Sequence, residues 1–466
     1  MTAIGSGELL TGWGRACPSA AWVVRPESAQ DLEAFLREPG PHLPRGLGRS
    51  YGDAAQCAGG TVIDCTALDR VGELDRSGRI HVEAGCSLDA LMRAIVPRGF
   101  FVPVTPGTRY VTMGGAIASD VHGKNHHRDG TISARVERLS LVTPTAQHEC
   151  GPDREAELFW ATAGGMGLTG VITDATLRLV PIETSRMLVD TERTEDLDTC
   201  MARMTEIDAE HRYSVAWVDS LASGRRLGRS VITVGDHAKI SDLPDKMRDD
   251  PLGFNPRQLA NVPFTPPVSL LNPLTVAAFN EAWYRRAPRR RTGELQAIST
   301  FFHPLDGVGS WNLLYGPRGF TQYQFVVPFG AEEVVRRVLE RLSSARIASF
   351  LAVLKRFGEA GNGHLSFPTV GWTLALDLPL GEAGLGRILD ELDELVAEAG
   401  GRVYLSKDGR VKPEILRSMY PRMDEWNGVR LAVDPRGVLV SDLSRRLGFA
   451  GPRCPRMARA VGGIHK

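Results

Sequence analysis

A short run near the N-terminal end, Arg45-Gly46-Leu47-Gly48-Arg49-Ser50-Tyr51-Gly52-Asp53, has the composition of an anion cradle. Its three glycines let backbone N–H groups approach an oxyanion closely, and Arg45, Arg49 and Ser50 add side-chain donors. A plain surface turn would not need two arginines and a serine among its glycines. Further on, Pro106-Gly107-Thr108-Arg109 precedes Thr112-Met113-Gly114-Gly115-Ala116-Ile117-Ala118-Ser119-Asp120-Val121-His122-Gly123. A Gly-Gly pair ahead of small residues suits close packing of a helix against a flat ligand. His122, His126 and His127 invite a metal reading, but no carboxylate falls between His122 and His126, and Lys124 there would repel a cation. A polar or redox-site histidine is the better use.

Gly165-Met166-Gly167-Leu168-Thr169-Gly170 matches the dinucleotide fingerprint letter for letter. That fingerprint needs a strand before it and a helix after it, because the helix N-terminus holds the pyrophosphate. Here Arg154 to Thr162 reads as helical and Ile172 to Val180 as a strand, so the order is reversed. A nicotinamide site is rejected at this position.

The elements that must carry these loops change character along the chain. In the first 180 residues, strands at Thr61 to Cys65, Arg79 to Ala84, Glu137 to Thr143 and Ile172 to Val180 alternate with glycine loops. Ser87 N-caps a helix whose apolar face is Leu88, Leu91, Met92 and Ile95. Ala175, Leu177 and Leu179 alternate with Asp174, Thr176 and Arg178, which predicts one buried face. The middle section reads β-α-β-β-α-β: Gln322 to Val327, a stripe from Val334 to Leu342, Phe350 to Leu354, Trp372 to Leu378, a stripe from Leu385 to Val396, and Arg402 to Leu405. That order is the split pattern of a ferredoxin-like sheet. Pro256 to Gly293 shows little regular pattern and predicts a mobile lid at 256–293. Its arginines, Arg285, Arg286, Arg289, Arg290 and Arg291, form either a solvated face or an attraction to a phosphate or an anionic membrane surface.

Bulk properties narrow the classes. At 466 residues two domains are expected. Lys+Arg and Asp+Glu are balanced at 55 each, so no net field draws the chain to nucleic acid. Seven scattered cysteines without a C-x-x-C pair fit reduced thiols. No signal peptide and no apolar run of membrane-spanning length is found, so a cytoplasmic location or a peripheral one at the inner membrane is expected, with the periplasmic face left open.

Together and in order, these loops resemble the vanillyl-alcohol-oxidase type of flavoprotein, and within it the oxidases of polyprenylphosphoryl-ribose. The likeness begins at Leu10 to Arg15 and runs through Arg45 to Asp53, Val104 to His127 and Glu157 to Gly170. It continues at His303 to Asp306, Trp311-Asn312, Gln322 to Phe325, Leu365 to Pro368, Lys407-Asp408, Tyr420 to Arg422, Asp424 to Trp426 and Ser441 to Arg446. The resemblance implies an α+β fold of two domains. Residues 1–184, completed by 402–466, would bind FAD, and 185–401 would form a ferredoxin-like (split βαβ) antiparallel-sheet substrate domain. It implies that Arg45, Gly46, Leu47, Gly48, Arg49, Ser50, Tyr51, Gly52, Asp53, Gly107, Thr112, Met113, Gly114, Gly115, Ser119, Asp120, Val121, His122, Ile172 and Tyr404 line FAD. Arg49 stands where covalent relatives carry a histidine, which implies FAD without a covalent link.

The implied chemistry is oxidation of the ribose 2-hydroxyl of a lipid-phosphate-linked sugar to the 2-keto sugar, the first half of an epimerisation to the arabinose form. Lys407 falls at the family's essential lysine, and His122 joins it as a catalytic candidate. Gln324, Lys355, Tyr51, Trp217, Phe302, Thr373 and Ala375 are the implied substrate contacts. Phe302, Thr373 and Ala375 replace a tyrosine, an asparagine and a cysteine of the family pattern. A soluble sugar, a sugar phosphate or an aldonolactone therefore stays open as substrate. The implied partners are a keto-sugar reductase, dioxygen or a quinone as electron acceptor, and a membrane surface touched peripherally; no metal is implied.

Overall fold

The structure, a computed structural model, describes residues 5–449. Cys454 and the rest of the tail beyond Phe449 lie outside the described residues.

Residues 6–181 build two main sheets and a two-stranded one that pairs Phe100–Phe101 with Val180–Pro181. Strands Ser6–Leu10, Ser19–Val24, Thr61–Asp64 and His42–Arg45 form the first, in that spatial order, with its last two pairings parallel. The second is antiparallel throughout, in the order Val71–Leu74, Arg79–Glu83, Val171–Arg178, Val136–Val142, Gln147–Cys150. Alternation along Val171–Arg178 buries Ala175 and Leu177 and turns Arg178 outward, as the period of two requires. The Ser87 hydroxyl accepts from Ala90 N–H and starts the helix Leu88–Ile95, whose Leu88, Leu91, Met92 and Ile95 are all buried against this sheet.

The middle of the chain forms one eight-stranded antiparallel sheet. Strands Phe320–Val327, Ala352–Phe357, Gly371–Pro379 and Arg402–Val403, with helices Glu332–Ser344 and Leu385–Glu398, make the expected ferredoxin-like unit. A second unit of the same kind was not legible in the sequence. It consists of strand Arg186–Thr194, helix Leu197–Ile207, strands Tyr213–Val218 and Ser230–His237, and strand Arg290–Ala297. Each unit shows its fourth, first, third and second strands in that spatial order, and the two meet where Tyr213–Val218 pairs with Ala352–Phe357. Within the expected lid, the helix Pro273–Arg286 replaces the irregular stretch. Asn272 caps it by accepting from Leu274 and Thr275 N–H, with Pro273 pre-set at the first position. Only Val276 and Asn280 of that helix are buried, which is why no apolar stripe announced it.

The eight-stranded sheet has two unlike faces. Ala216, Ile232, Leu354, Leu374, Leu376, Tyr323 and Phe325 share a face and pack under the helices Leu197–Ile207, Glu332–Ser344 and Leu385–Glu398 in one core. The alternate positions point the other way, toward the sheets of residues 6–181. There Met187, Val189 and Tyr213 join its core, while Gln322, Gln324, Lys355 and Ala375 border a cavity. The C-terminal segment returns to the first sheet: His42 bridges Leu439, and Trp426 donates its indole N–H to Ala161 O at 3.0 Å.

Candidate active site

A cavity of ≈ 280 Å³ runs between the Arg45–Tyr51 loop and the polar face of the large sheet. At one end Gly46, Leu47, Gly48, Arg49 and Ser50 border it. Among the described residues, the five backbone N–H groups from Gly46 to Ser50 find no hydrogen-bond acceptor. Consecutive unpaired amides facing a cleft are the donor set a diphosphate requires. Gly48 has φ +62°, a conformation that favours glycine. Gly107 lines the cavity opposite, and a Cβ there would enter open space with no atom within 4 Å. The cavity thus keeps a cradle for a diphosphate-sized anion that side chains would fill. Arg49 is fixed with its guanidinium 3.9 Å above the Trp13 ring, and Arg45 is spent on the carbonyls of Thr11 and Ala55.

At the other end the reactive groups converge on the cavity. The imidazole Nε2 of His122 lies 3.0 Å from the Gln324 amide nitrogen, which also reaches Thr373 Oγ1 at 3.3 Å. With both Gln324 N–H groups engaged, Nε2 is the acceptor and the His122 proton sits on Nδ1. Burial, with Lys355 nearby, lowers the His122 pKa well below its usual value, so the ring is neutral. The Gln324 carbonyl is left to accept from a ligand hydroxyl. Lys355 and Lys407 border the same space, and neither ammonium has a carboxylate within ion-pair reach among the described residues. Burial lowers Lys355 to about 8. Lys407 Nζ sits 3.7 Å over the Tyr51 ring. Burial lowers the Lys407 pKa too, opposed by the charge of Asp377 and assisted by that of Lys355. Asp377 is buried on the adjacent strand, accepts from the Gln322 amide, and is pushed up by desolvation.

Two loops that meet at the cavity are tied to each other. Tyr51 N–H donates to Ser406 O at 3.0 Å. Arg446 grips Asp53 at 2.8 and 2.9 Å and Asp408 at 2.9 Å. The phosphate cradle and the Lys407 segment are therefore held by one cation. Tyr404, stacked 4.6 Å from Phe367, donates its hydroxyl to Ser119 O at 2.8 Å and fixes the small-residue turn beside His122.

Of the residues singled out in the sequence, Arg45 to Tyr51, Gly107, Thr112, Gly114, Gly115, Ser119, Val121, His122, Ile172, Gln324, Lys355, Ala375, Tyr404 and Lys407 all border this cavity. Gly52 and Asp53 do not; they abut Asp408 and Arg446 behind the loop. Met113 is buried in the hydrophobic core, and Asp120 accepts from the Ser366 hydroxyl at 2.5 Å. Thr373 is one hydrogen bond removed, behind Gln324. Trp217 pairs with Val353 in register but stays outside the lining. Phe302 is buried among Phe101, Tyr213 and His237, away from the cavity. Asp306, Gln322, Trp311, Ser406 and Met166-Gly167 line it without having been singled out as site residues. The signal for Gln322 was available: a glutamine repeated at period two in a strand of mostly apolar residues.

Comparison with known proteins agrees with this geometry. Residues 20–150 match the FAD binding domain family, and residues 381–447 match the D-arabinono-1,4-lactone oxidase family. The chain is 44% identical over 452 residues to the decaprenylphosphoryl-beta-D-ribose oxidase of Mycolicibacterium smegmatis, covering 94% of this chain and 97% of that protein. An uncharacterized protein of Streptomyces coelicolor is 42% identical over 78% of this chain and 100% of its own. The L-gulono-1,4-lactone dehydrogenase of Mycobacterium tuberculosis is 24% identical over 92% of this chain and 96% of its own.

Proposed function

The chain belongs to the decaprenylphosphoryl-β-D-ribose oxidase family, and on that footing we propose that it oxidises the 2-hydroxyl of a polyprenylphosphoryl-ribose to the 2-keto sugar. The observation that carries this reading is the end-to-end likeness, joined to a cavity where an amide-lined phosphate cradle shares its walls with two part-buried lysines. The amides of Gly46 to Ser50 would hold FAD there, and the bound cofactor would supply the two-electron acceptor for the hydride released at the carbinol carbon. The chain's own residues do the rest. Gln324, oriented by His122 and Thr373, accepts a hydrogen bond from a sugar hydroxyl and fixes which carbon faces the flavin. Lys407, kept neutral for part of its population by burial, takes the proton of the 2-hydroxyl as the C–H bond breaks. Tyr51 beneath Lys407 limits where its amine can go. Arg49 in place of a histidine supports attachment by contacts alone, so acid precipitation is expected to leave the protein colourless and the supernatant yellow.

A keto-sugar reductase that completes the epimerisation and a quinone or dioxygen that re-oxidises the flavin are the partners this chemistry requires. The match to the lactone oxidase family favours one second reading, oxidation of a soluble aldonolactone. Anaerobic mixing separates the two. Bleaching of the flavin by polyprenylphosphoryl-ribose and not by lactones supports the first reading, and the reverse pattern overturns it.

A further inference from the structure

The rim of the cavity beside Trp311 and Leu305 carries an apolar surface that no other element covers among the described residues. Leu259 is 86% exposed, Phe264 67%, Val268 66% and Leu274 75%. This segment is anchored to the cavity wall: Leu259 N–H donates to Gly307 O at 2.7 Å, and Leu270 N–H to Leu314 O at 2.9 Å. Leu271, Leu305 and Leu314 pack behind it against Trp311, whose ring lines the cavity. Apolar side chains thus run from the cavity wall at Trp311 out to the exposed segment.

They also continue along the helix Pro273–Arg286. Leu274, Ala278, Ala282 and Arg285 fall on one exposed stripe at helical spacing. The stripe ends in a cluster of arginines. Arg285 pairs with Glu281 and Arg291 with Glu294, but Arg286, Arg289 and Arg290 are exposed and have no carboxylate partner among the described residues. In a chain of zero formal net charge, three unneutralised guanidinium groups at the far end of the helix from Leu274 mark a local charge excess.

We propose that the 259–274 segment and the outer face of the helix Pro273–Arg286 form the surface by which this protein docks on an anionic lipid bilayer. The leucines and Phe264 enter the acyl boundary while the arginines meet headgroup phosphates. The proposal rests on the lipid-linked substrate inferred above: a sugar whose polyprenyl tail stays in the bilayer reaches the cavity without crossing water only if the apolar rim lies against the membrane. Soluble lactones would need no such rim.

The test uses the FAD-loaded protein without any sugar, so docking and turnover are read separately. Co-sedimentation with phosphatidylcholine vesicles, with and without phosphatidylglycerol, should show binding to the anionic vesicles that weakens as salt rises. The R286Q/R289Q/R290Q variant should lose on the order of 100-fold in vesicle partitioning. L259S/F264S/L274S should lose at least about tenfold. Both variants should keep the flavin spectrum and melting temperature of the wild type, because every altered side chain is exposed. Wild-type protein that stays in the supernatant, or an apolar variant that binds as the wild type does, overturns the proposal. So does sedimentation of the wild type as a dimer that these same substitutions dissociate, since a second copy would then cover the face.

Discussion

Gly52 is where the phosphate cradle touches the segment that carries Lys407, and replacing it by alanine tests whether that contact sets the geometry of the reaction. A Cβ on residue 52 would stand 1.9 Å from Asp408 O, 2.6 Å from its carbonyl carbon and 2.9 Å from Gly409 Cα. Ordinary contact begins at 3.4 Å, so the two strands of chain must part by about 1.5 Å. All three opposing atoms are backbone, and no rotamer change relieves them. Gly52 does not have a positive φ, so on backbone grounds alone alanine would stabilise by about 0.4–1 kcal/mol. The steric term opposes that gain and acts one residue from Lys407. A displacement of about 1 Å at reacting groups costs roughly 100-fold in rate. Gly52→Ala is therefore expected to slow anaerobic flavin reduction by about that factor while FAD uptake, carried by the amides of Gly46 to Ser50, weakens far less. Stopped-flow bleaching at saturating FAD reads the first quantity and fluorescence titration of the apoprotein the second. A wild-type reduction rate in a fully FAD-loaded Gly52→Ala protein would refute the reasoning.

Three further outcomes follow from the same geometry. Lys407→Ala should retain FAD and its spectrum but reduce it about a hundred- to ten-thousand-fold more slowly, the range for loss of a general base; a smaller loss in single-turnover mixing places the base elsewhere. Because burial lowers the Lys407 pKa, flavin reduction should rise with pH as the amine deprotonates and level off well below the pH at which an ordinary lysine titrates. Asp377 favours the ammonium, so Asp377→Asn should move that rising limb to lower pH, and a pH–rate profile that stays put or moves up rules out this coupling. Phe302→Tyr restores the hydroxyl of the family pattern into the cluster of Phe101, Tyr213 and His237 rather than into the cavity. It should cost about 1–3 kcal/mol in thermal unfolding for a buried hydroxyl without an assured partner and leave KM for the sugar unchanged; a KM shift shows that the position reaches the substrate.

The parts of this molecule that were legible in the sequence are those where one local signal decides the outcome. The Ser87 cap with its apolar helix face, the alternation through Leu177 and the β-α-β-β-α-β order from residue 320 onward each depend on neighbours within a few positions. The order around Gly165–Gly170 was readable for the same reason, although Met166, Gly167 and Gly170 turn out to border the cavity from a helix-to-strand loop. The first ferredoxin-like unit was hidden because strand Arg186–Thr194 carries arginine, aspartate and glutamate among its apolar residues. In addition, its third and fourth strands are separated by the long segment 238–289. Phe302 and Trp217 were assigned through a resemblance, which transfers a position in the chain but not the direction in which a side chain points. Asp306 and Asp377 gave no signal of their own: their meaning comes from Arg109 and Lys407, partners distant in sequence that only the fold brings near.

What unites the site is strand parity together with one ion-pair knot. An antiparallel strand sends alternate side chains to opposite faces, so a strand whose odd members pack under helices must offer its even members to whatever lies on the other side. In Phe320–Val327 this separates Tyr323 and Phe325 from Gln322 and Gln324, and in Gly371–Pro379 it separates Leu374 and Leu376 from Ala375 and Asp377. The sheet cannot lose its polar strip without shifting register and exposing its core, so the groups that orient the sugar are as rigid as the hydrophobic face behind them. Lys407 lies outside that protection, on a loop after the last short strand, and its position is supplied by Arg446 bridging Asp53 to Asp408. The same cation steadies the loop whose amides face the phosphates. Weakening it must therefore loosen cofactor and base together, and in this fold the two cannot be tuned apart through that contact.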